Sequence, residues 1–187
     1  MENILFINAC VRKNSRTLEL AKYVLNNLSR EVEEVNLYKE ELLPLSVEEL
    51  KLRDLAIQTK DFSNKVFDYA KQFANAQIIV IAAPYWDLTF PAIVKNYLEK
   101  ITVNGITFRY GEKGIPQGLC KGKRLIYVTT SGGPIIHNFG YEYVKTLANN
   151  FYGIQNVQLV KAEGLDVYGA DVKGILQNAK ESFKDLD

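Results

Sequence analysis

The sequence predicts a three-layer α/β sandwich, in which helices cover both faces of a five-stranded parallel sheet. Five short apolar runs alternate with segments of helical periodicity. The third run, residues 78–83, is apolar at both alternating positions, which is typical of a strand buried on both faces. A chain of 187 residues suits one sizeable domain. We therefore expect residues 1–187 to form a single domain with right-handed crossovers.

The elements follow one another in the order that such a sandwich requires. Strands are predicted, in chain order, at residues 3–9, 32–37, 77–83, 124–130 and 157–162. Helices are predicted at residues 15–28, near 47–55, and at 66–73, 91–101, 141–152 and 170–183. Ser15 can cap the first helix, and Pro91 suits the first turn of the fourth. Residues 103–122 show no clear helical period, and a connection of that length is usually functional.

Composition excludes several classes of protein. A net charge of +1 argues against a nucleic-acid-binding protein, which usually carries a basic excess on one face. The longest apolar run is far shorter than the roughly 20 residues that span a bilayer, and residues 1–4 do not resemble a signal peptide. Cys10 and Cys120 form no CxxC pair, and His137 is the sole histidine, so we expect reduced thiols and no metal site. These features predict a cytoplasmic protein without a membrane partner.

The junction after the first strand resembles a phosphate-binding segment. Ser15 and Thr17 offer hydroxyl groups at the start of a helix, where backbone N–H groups and the helix dipole favour anions. Arg12, Lys13 and Arg16 add positive charge. The segment lacks glycine, so it is neither a P-loop nor a GxGxxG fingerprint. A capped helix beside a solvated basic loop would read the same way.

The junction after the third strand suggests a seat for a flat ring. Ligands of open α/β sheets bind beyond the carboxyl ends of the strands. There, backbone amides after Pro84 could face a heterocycle that Tyr85, Trp86 and Leu88 line. Asp87 could accept a hydrogen bond, although an acidic loop residue is usually only solvated. The alternative is an aromatic cluster that closes the core.

The junction after the fourth strand carries hydroxyl groups and paired glycines. Gly132 and Gly133 allow close approach of the backbone to a ligand, and Thr130 and Ser131 add hydrogen-bonding groups. A plain turn would look the same. His137 follows; histidine is the side chain best suited to proton transfer, although such a residue is more often a surface or packing histidine. Together, the three loops at one rim of the sheet fit a mononucleotide with a phosphate tail and a flat ring.

Five motifs extend this interpretation over nearly the whole chain. They are APYWDL at 83–88, PA with KNY between 91 and 97, GITFRY at 105–110, GL with GK between 118 and 123, and TSGG at 130–133. In this order and spacing they resemble the flavodoxin-like quinone reductases, most closely the FMN-dependent NADH:quinone oxidoreductase/azoreductase family. The resemblance implies a flavodoxin-like sheet of order 2-1-3-4-5, bound FMN, and a homodimer with active sites at the subunit interface.

The resemblance also implies roles for individual residues. The cofactor-binding positions are Cys10, Ser15, Arg16, Thr17, Pro84, Tyr85, Trp86, Asp87, Leu88, Thr130, Ser131, Gly132 and Gly133. Phe108 and Tyr110, with Trp86, match the substrate pocket, and His137 and Tyr110 are candidates for a catalytic role. The implied activity is a two-electron ping-pong transfer from NADH or NADPH, through FMN, to a quinone, an azo compound or a similar flat aromatic acceptor.

Some positions depart from the family pattern. The family commonly has serine at position 10, and methionine, tyrosine and asparagine where this chain has Tyr85, Trp86 and Asp87. An ionised Asp87 side chain near the ring would oppose negative charge on a reduced flavin. His137 lies two residues beyond the expected place of the family histidine.

Two other functions remain open from the sequence. One is a flavodoxin-type electron-transfer protein, although such proteins are usually strongly acidic and this chain has balanced charge and the 103–122 segment. The other is a flavin-binding or regulatory protein that has lost turnover, which the fold alone does not exclude.

Overall fold

The centre of the computed structural model, which describes residues 3–40 and 42–185, is a five-stranded parallel sheet. The described residues form seven strands: β1 Ile4–Asn8, β2 Val32–Asn36, β3 Ile78–Ala82, β4 Phe108–Tyr110, β5 Pro116–Gly118, β6 Arg124–Thr130 and β7 Asn156–Ala162. Six α-helices accompany them: α1 Arg16–Leu28, α2 Val47–Thr59, α3 Asp68–Asn75, α4 Ala92–Ile101, α5 Phe139–Leu147 and α6 Val172–Ser182. The sheet order is β2-β1-β3-β6-β7, which confirms the predicted 2-1-3-4-5 order of the five main strands.

The sheet separates two apolar cores, and every residue of the central strands β1, β3 and β6 is buried. Alternate residues of these strands point to opposite faces. Ile7, Ile81 and Tyr127 belong to the core beneath α3, α4 and α5. Phe6 and Val80 belong to the core beneath α1 and α6. This two-sided burial explains the apolar runs in the sequence and confirms the three-layer sandwich.

The two outer strands are more polar than the central ones. The exposed first half of β2 contains Glu33 and Glu34. Nε2 of Gln72 donates to Glu33 at 2.8 Å, and Nδ2 of Asn8 donates to Glu34 at 2.8 Å. On the opposite edge, β7 begins with an exposed residue, and Lys161 near its end is also exposed. Both edges of the sheet therefore present polar side chains.

Helix α2 is held against the body by polar contacts. Ser46 and Glu49 form a reciprocal capping box at its start. The guanidinium of Arg53 donates to the backbone oxygens of Glu99, at 2.8 Å, and Lys100, at 2.9 Å, near the carboxyl end of α4. Lys100 pairs with Glu49. The helix predicted near residues 47–55 is thus present and extends to Thr59.

The segment 103–122 contains the antiparallel hairpin β4–β5, which the sequence did not predict. The ring of Phe108 is buried and meets those of Tyr110 and Phe151 edge-on, at 5.3 and 5.1 Å between centroids. A Cβ on Gly118 would lie 2.2 Å from the backbone of residues 152 and 153. The hairpin therefore packs directly on the chain that follows α5, and only glycine allows that approach.

Some element boundaries differ from the expected ones. The predicted helix at 141–152 is α5 followed by a π-helical turn, Ala148–Tyr152. Pro91 occupies the cap position, and α4 begins at the next residue. Within the described ranges, no helix is long and apolar enough to cross a membrane. The same residues contain no group of three or more histidine, cysteine, aspartate or glutamate side chains that could hold a metal ion.

Candidate functional site

A cleft of about 360 Å³ crosses the rim formed by the carboxyl ends of β1, β3, β6 and β7. This volume lies in the range of small-molecule and cofactor sites. Its lining contains ten of the sequence-predicted cofactor residues: Cys10, Ser15, Arg16, Thr17, Pro84, Tyr85, Trp86, Thr130, Ser131 and Gly132. Three loops that are far apart in sequence thus meet at one site, where α/β sheets bind ligands.

One end of the cleft is the amino terminus of α1. The Oγ atom of Ser15 accepts a hydrogen bond from the N–H of Leu18 at 3.2 Å and thereby caps the helix. The N–H groups of Arg16 and Thr17, in the first turn, have no intrahelical acceptors. Arg12 also lines the cleft. Free N–H groups, the helix dipole and two guanidinium groups make this end suitable for a phosphate.

A buried hydrogen bond joins the first turn of α1 to the last residue of β6. The hydroxyl groups of Thr17 and Thr130 lie 2.6 Å apart, and both side chains are buried. Beside them, Oγ of Ser131 donates to the backbone oxygen of Gly133 at 2.5 Å. These bonds fix the polar floor of the cleft before any ligand binds.

The opposite wall is aromatic. The N–H of Tyr85 donates to the backbone oxygen of Thr130 at 3.0 Å, so the loop after β3 is fastened to the end of β6. The Tyr85 hydroxyl donates to the backbone oxygen of His137 at 2.9 Å. Trp86 lies next and keeps 38% of its surface exposed. This wall offers the aromatic side chains of Tyr85 and Trp86 to a flat ring, whereas the N–H groups of both residues already donate within the protein.

The loop after β3 contains a strained turn. Backbone hydrogen bonds of 3.0 and 2.9 Å link Trp86 and Thr89 in both directions. The two residues between them, Asp87 and Leu88, have φ of +50° and +68°. Positive φ at both central residues is the type I′ pattern, which favours asparagine and glycine. Such strain costs about 1–2 kcal/mol per residue and clusters at functional sites.

A second, apolar groove of about 680 Å³ lies on the other side of Trp86. It is lined by Trp86, Asp87, Thr89, Phe90, Pro91, Ala92, Lys95, Phe139 and Tyr143. Asp87 therefore lines this groove and not the cleft. Leu88 and Gly133 do not line the cleft either, although each is adjacent to a residue that does. The 84–88 segment, which was predicted to line one ring seat, is thus divided between the cleft and the apolar groove.

The remaining predicted residues lie outside the cleft of this chain. His137 is exposed and stacks on Phe139, with 5.4 Å between ring centroids and 17° between planes. Phe108 is buried inside its hairpin, whereas Tyr110 is 56% exposed on the same strand. Tyr110 lines a separate depression of the hairpin. A single chain therefore does not bring Phe108, Tyr110 and Trp86 into one pocket.

The cleft also contains a residue that the sequence interpretation missed. Asp166, on the loop after β7, accepts a hydrogen bond from the Arg16 guanidinium at 2.7 Å. The same guanidinium nitrogen donates to the backbone oxygen of Leu165 at 3.2 Å. The signal was available, because the carboxyl end of the fifth main strand reaches the same rim as the other four.

Cys10 contributes a neutral group to the cleft. Its Sγ atom lies 3.8 Å from the backbone oxygen of Ala82, and the residue is buried. Burial raises the pKa of the Cys10 thiol to about 11, while a hydrogen bond involving Ser15 partly offsets that rise. The thiol is therefore protonated at neutral pH and is no nucleophile there.

The sheet order and the cleft at its carboxyl rim define an α/β protein of flavodoxin-like fold. A family model described as "Flavodoxin-like fold" matches residues 2–186. The FMN-dependent NADH:quinone oxidoreductase 2 of Clostridium acetobutylicum is 37% identical over 198 aligned positions, which cover 99% of this chain and 98% of that protein. The chain belongs to the family of flavodoxin-like FMN-dependent NADH:quinone oxidoreductases, and the resemblance noted in the sequence is confirmed.

Solved structures agree with this assignment. The azoreductase from Bacillus anthracis Sterne is 26% identical, with a TM-score of 0.82, and the match covers 97% of this chain and 96% of that chain. An FMN-dependent NADH-azoreductase from Bacillus anthracis Ames Ancestor, solved in complex with FMN, is 25% identical, with a TM-score of 0.81 and coverage of 97% and 95%.

Proposed function

We propose that this protein is an FMN-dependent NAD(P)H oxidoreductase that reduces quinones, azo compounds or similar flat acceptors by two-electron ping-pong transfer. The observation that carries the proposal is the cleft itself, which has the cationic amino terminus of α1 at one end and the Tyr85–Trp86 wall at the other. The relatives' names, FMN-dependent NADH:quinone oxidoreductase and azoreductase, support the same activity.

The residues of the cleft fit FMN. Arg12, Arg16 and the first-turn amides of α1 would hold its phosphate, because they combine positive charge with unpaired N–H groups. Gly132 lines the cleft, and its lack of a Cβ leaves room there for the Asp166 carboxylate. Tyr85 and Trp86 would pack against the ring. Every group that FMN presents, anionic or aromatic, thus has a suitable partner in the lining.

When bound, FMN supplies the redox chemistry by taking a hydride from NADH or NADPH and returning two electrons to the acceptor. The protein's own part is to bind and to orient. The Thr17–Thr130 hydrogen bond and the strained turn at Asp87 and Leu88 hold the cleft walls in place. The neutral Cys10 thiol adds no charge near the cofactor at pH 7. No side chain need act as a covalent nucleophile.

The apolar groove beside Trp86 supports the further proposal of a homodimer. Exposed Phe139 and Tyr143 line it, and exposed Leu88 and Ile136 lie on the neighbouring loops. Exposed apolar patches of this kind often mark protein–protein contacts. In a dimer, Tyr110 of one hairpin could reach the other subunit's cleft and complete a substrate pocket. Sedimentation equilibrium tests this, and a purely monomeric protein at micromolar concentration would contradict it.

Cys10 and Cys120 are both free thiols, as is usual in a reducing compartment. They support a cytoplasmic location, which cell fractionation would test.

Anaerobic mixing of the FMN-loaded protein with NADH tests the proposed activity. We expect the visible flavin absorbance to bleach and to return when a quinone or an azo dye is added. Absorbance that stays unchanged with both NADH and NADPH would refute the reductase function. Full bleaching with no return on adding quinones or azo dyes would refute these compounds as the acceptors.

A matched pair of variants ties the activity to the cleft. Arg16→Gln removes a cation from the lining and should weaken FMN binding, whereas Lys51→Gln removes one from the exposed surface of α2 and should not. Equal FMN affinity in the two variants would contradict the assignment of the phosphate end.

A further inference from the structure

The phosphate end of the cleft contains one acidic side chain. Among the described residues that line the cleft, Arg12 and Arg16 are cationic and Asp166 is the only anion. Asp166 lies 2.7 Å from Arg16, with 68% of its side chain exposed, against 39% for Arg16. A carboxylate at this distance offsets much of the positive charge that a phosphate would meet.

The backbone builds this arrangement independently of the ion pair. The N–H of Asp166 donates to the backbone oxygen of Gly132 at 2.8 Å, and that of Leu165 donates to Ser131 at 3.2 Å. A Cβ on Gly132 would lie 2.4 Å from Oδ2 of Asp166, so glycine leaves the space that the carboxylate occupies. The loop after β7 therefore holds Asp166 at the cleft even when its side chain is changed.

We propose that Asp166 is a specificity-determining residue, which limits the preference of the cleft for phosphorylated over unphosphorylated flavins. The inference rests on the proposed function, since it assumes that the cleft binds a flavin. Asp166 attracts the Arg16 guanidinium and repels a phosphate dianion at the same time. A flavin without a phosphate is neither repelled by Asp166 nor affected by the pairing of Asp166 with Arg16.

The effect of Asp166 on FMN affinity depends on how far its side chain is exposed to solvent. Because Asp166 is largely solvated, water and salt screen its repulsion of the phosphate. Removal of its charge should therefore tighten FMN binding by about fivefold rather than by orders of magnitude. Riboflavin affinity should stay within about twofold. The gain for FMN should shrink as salt rises, because the Debye length falls to about 3 Å at 1 M.

Titration of both flavins against three proteins tests the proposal. The dissociation constants of FMN and riboflavin are measured by quenching of flavin fluorescence for the wild type, Asp166→Asn and the control Asp54→Asn. Asp54 is exposed on α2, and its substitution changes the net charge equally. We expect only Asp166→Asn to raise the FMN-to-riboflavin affinity ratio, and only at low salt.

Several results would overturn the inference. If the FMN-to-riboflavin affinity ratio of Asp166→Asn is unchanged, the carboxylate does not determine specificity. If Asp166→Asn binds FMN more weakly than the wild type, the main action of the carboxylate is to hold Arg16. Asp166→Ala repeats the test without the amide, with circular dichroism as a check on folding. A wild type that binds neither flavin would refute the proposed function itself, and binding of both with equal ratios in all variants would refute only the role of Asp166.

Discussion

Ser15 has two roles: it stabilises α1 and it lines the phosphate end of the cleft. Its Oγ accepts the hydrogen bond from Leu18 N–H that caps the helix, and the residue also lines the cleft. Two substitutions should separate these roles. Ser15→Ala removes the cap, which is worth about 1 kcal/mol. For a chain of this size, that loss lowers the melting temperature by about 2–4 °C.

Ser15→Asp should have the opposite pattern. Aspartate caps a helix as well as serine does, and its charge favours the positive end of the dipole by about 0.3–1 kcal/mol. The unfolding free energy should therefore be equal to or slightly above that of the wild type. The new carboxylate repels a phosphate dianion by about 2 kcal/mol at about 4 Å in a water-like medium. FMN binding should weaken about 30-fold.

The assay is urea unfolding of the cofactor-free proteins, combined with FMN and riboflavin titrations. Riboflavin is the control ligand, because it has the ring and no phosphate. The reasoning is refuted if Ser15→Asp binds FMN as tightly as the wild type. It is also refuted if the two variants are destabilised equally, since the cap would then not explain the role of Ser15.

Three further predictions concern the cleft and the loop after β3, and unfolding experiments can check them. Thr17→Val removes the 2.6 Å bond to Thr130 and leaves a buried hydroxyl unpaired, so it should cost about 1–3 kcal/mol, whereas Thr59→Val, at an exposed position, should cost clearly less. Leu88→Ile places a β-branched residue at φ +68° and should cost about 1 kcal/mol, while exposed Leu43→Ile should stay within about 0.5 kcal/mol; equal effects would argue against strain. The third concerns pH, because folding raises the pKa of the Cys10 thiol from 9.0 to about 11. The stability that the protonated thiol contributes is therefore complete below pH 9 and is lost between pH 9 and 11, as the thiol of the unfolded chain ionises. Cys10→Ser should lose about 2 kcal/mol less than the wild type over that interval, and parallel pH profiles would contradict the shift.

The fold could be predicted from the sequence wherever a short segment by itself determines its secondary structure. Residues 78–82 are buried at every position, so their apolar run identified β3 directly. The hairpin β4–β5 was missed because its strands have three residues each, and Arg109 and Gln117 are exposed. The strand order came from the resemblance to a family, because periodicity carries no information on which strands are neighbours.

The polar residues near the start of α1 could be proposed from the sequence, whereas the turn after β3 and the burial of Phe108 could not. The hydroxyl groups and the helix start near Ser15 are features that an anion site requires, although an ordinary capped helix has them as well. Asp166 was missed because a single acidic loop residue is usually only solvated. The turn at Asp87 and Leu88 was missed because leucine does not favour positive φ, and the surrounding structure imposes it. Phe108 was assigned to a substrate pocket, but its hairpin buries it.

The acidic edge strand has a consequence for how copies of this protein can meet. Glu33 and Glu34 are adjacent and exposed on the edge strand β2, where they accept hydrogen bonds from Gln72 and Asn8. A second molecule that tried to extend the sheet through its own β2 would bring these carboxylates close to identical ones. Such repulsion is how natural sheets avoid open-ended growth into aggregates. Crowded or concentrated solutions should therefore leave the protein dispersed, with self-association confined to surfaces away from this edge.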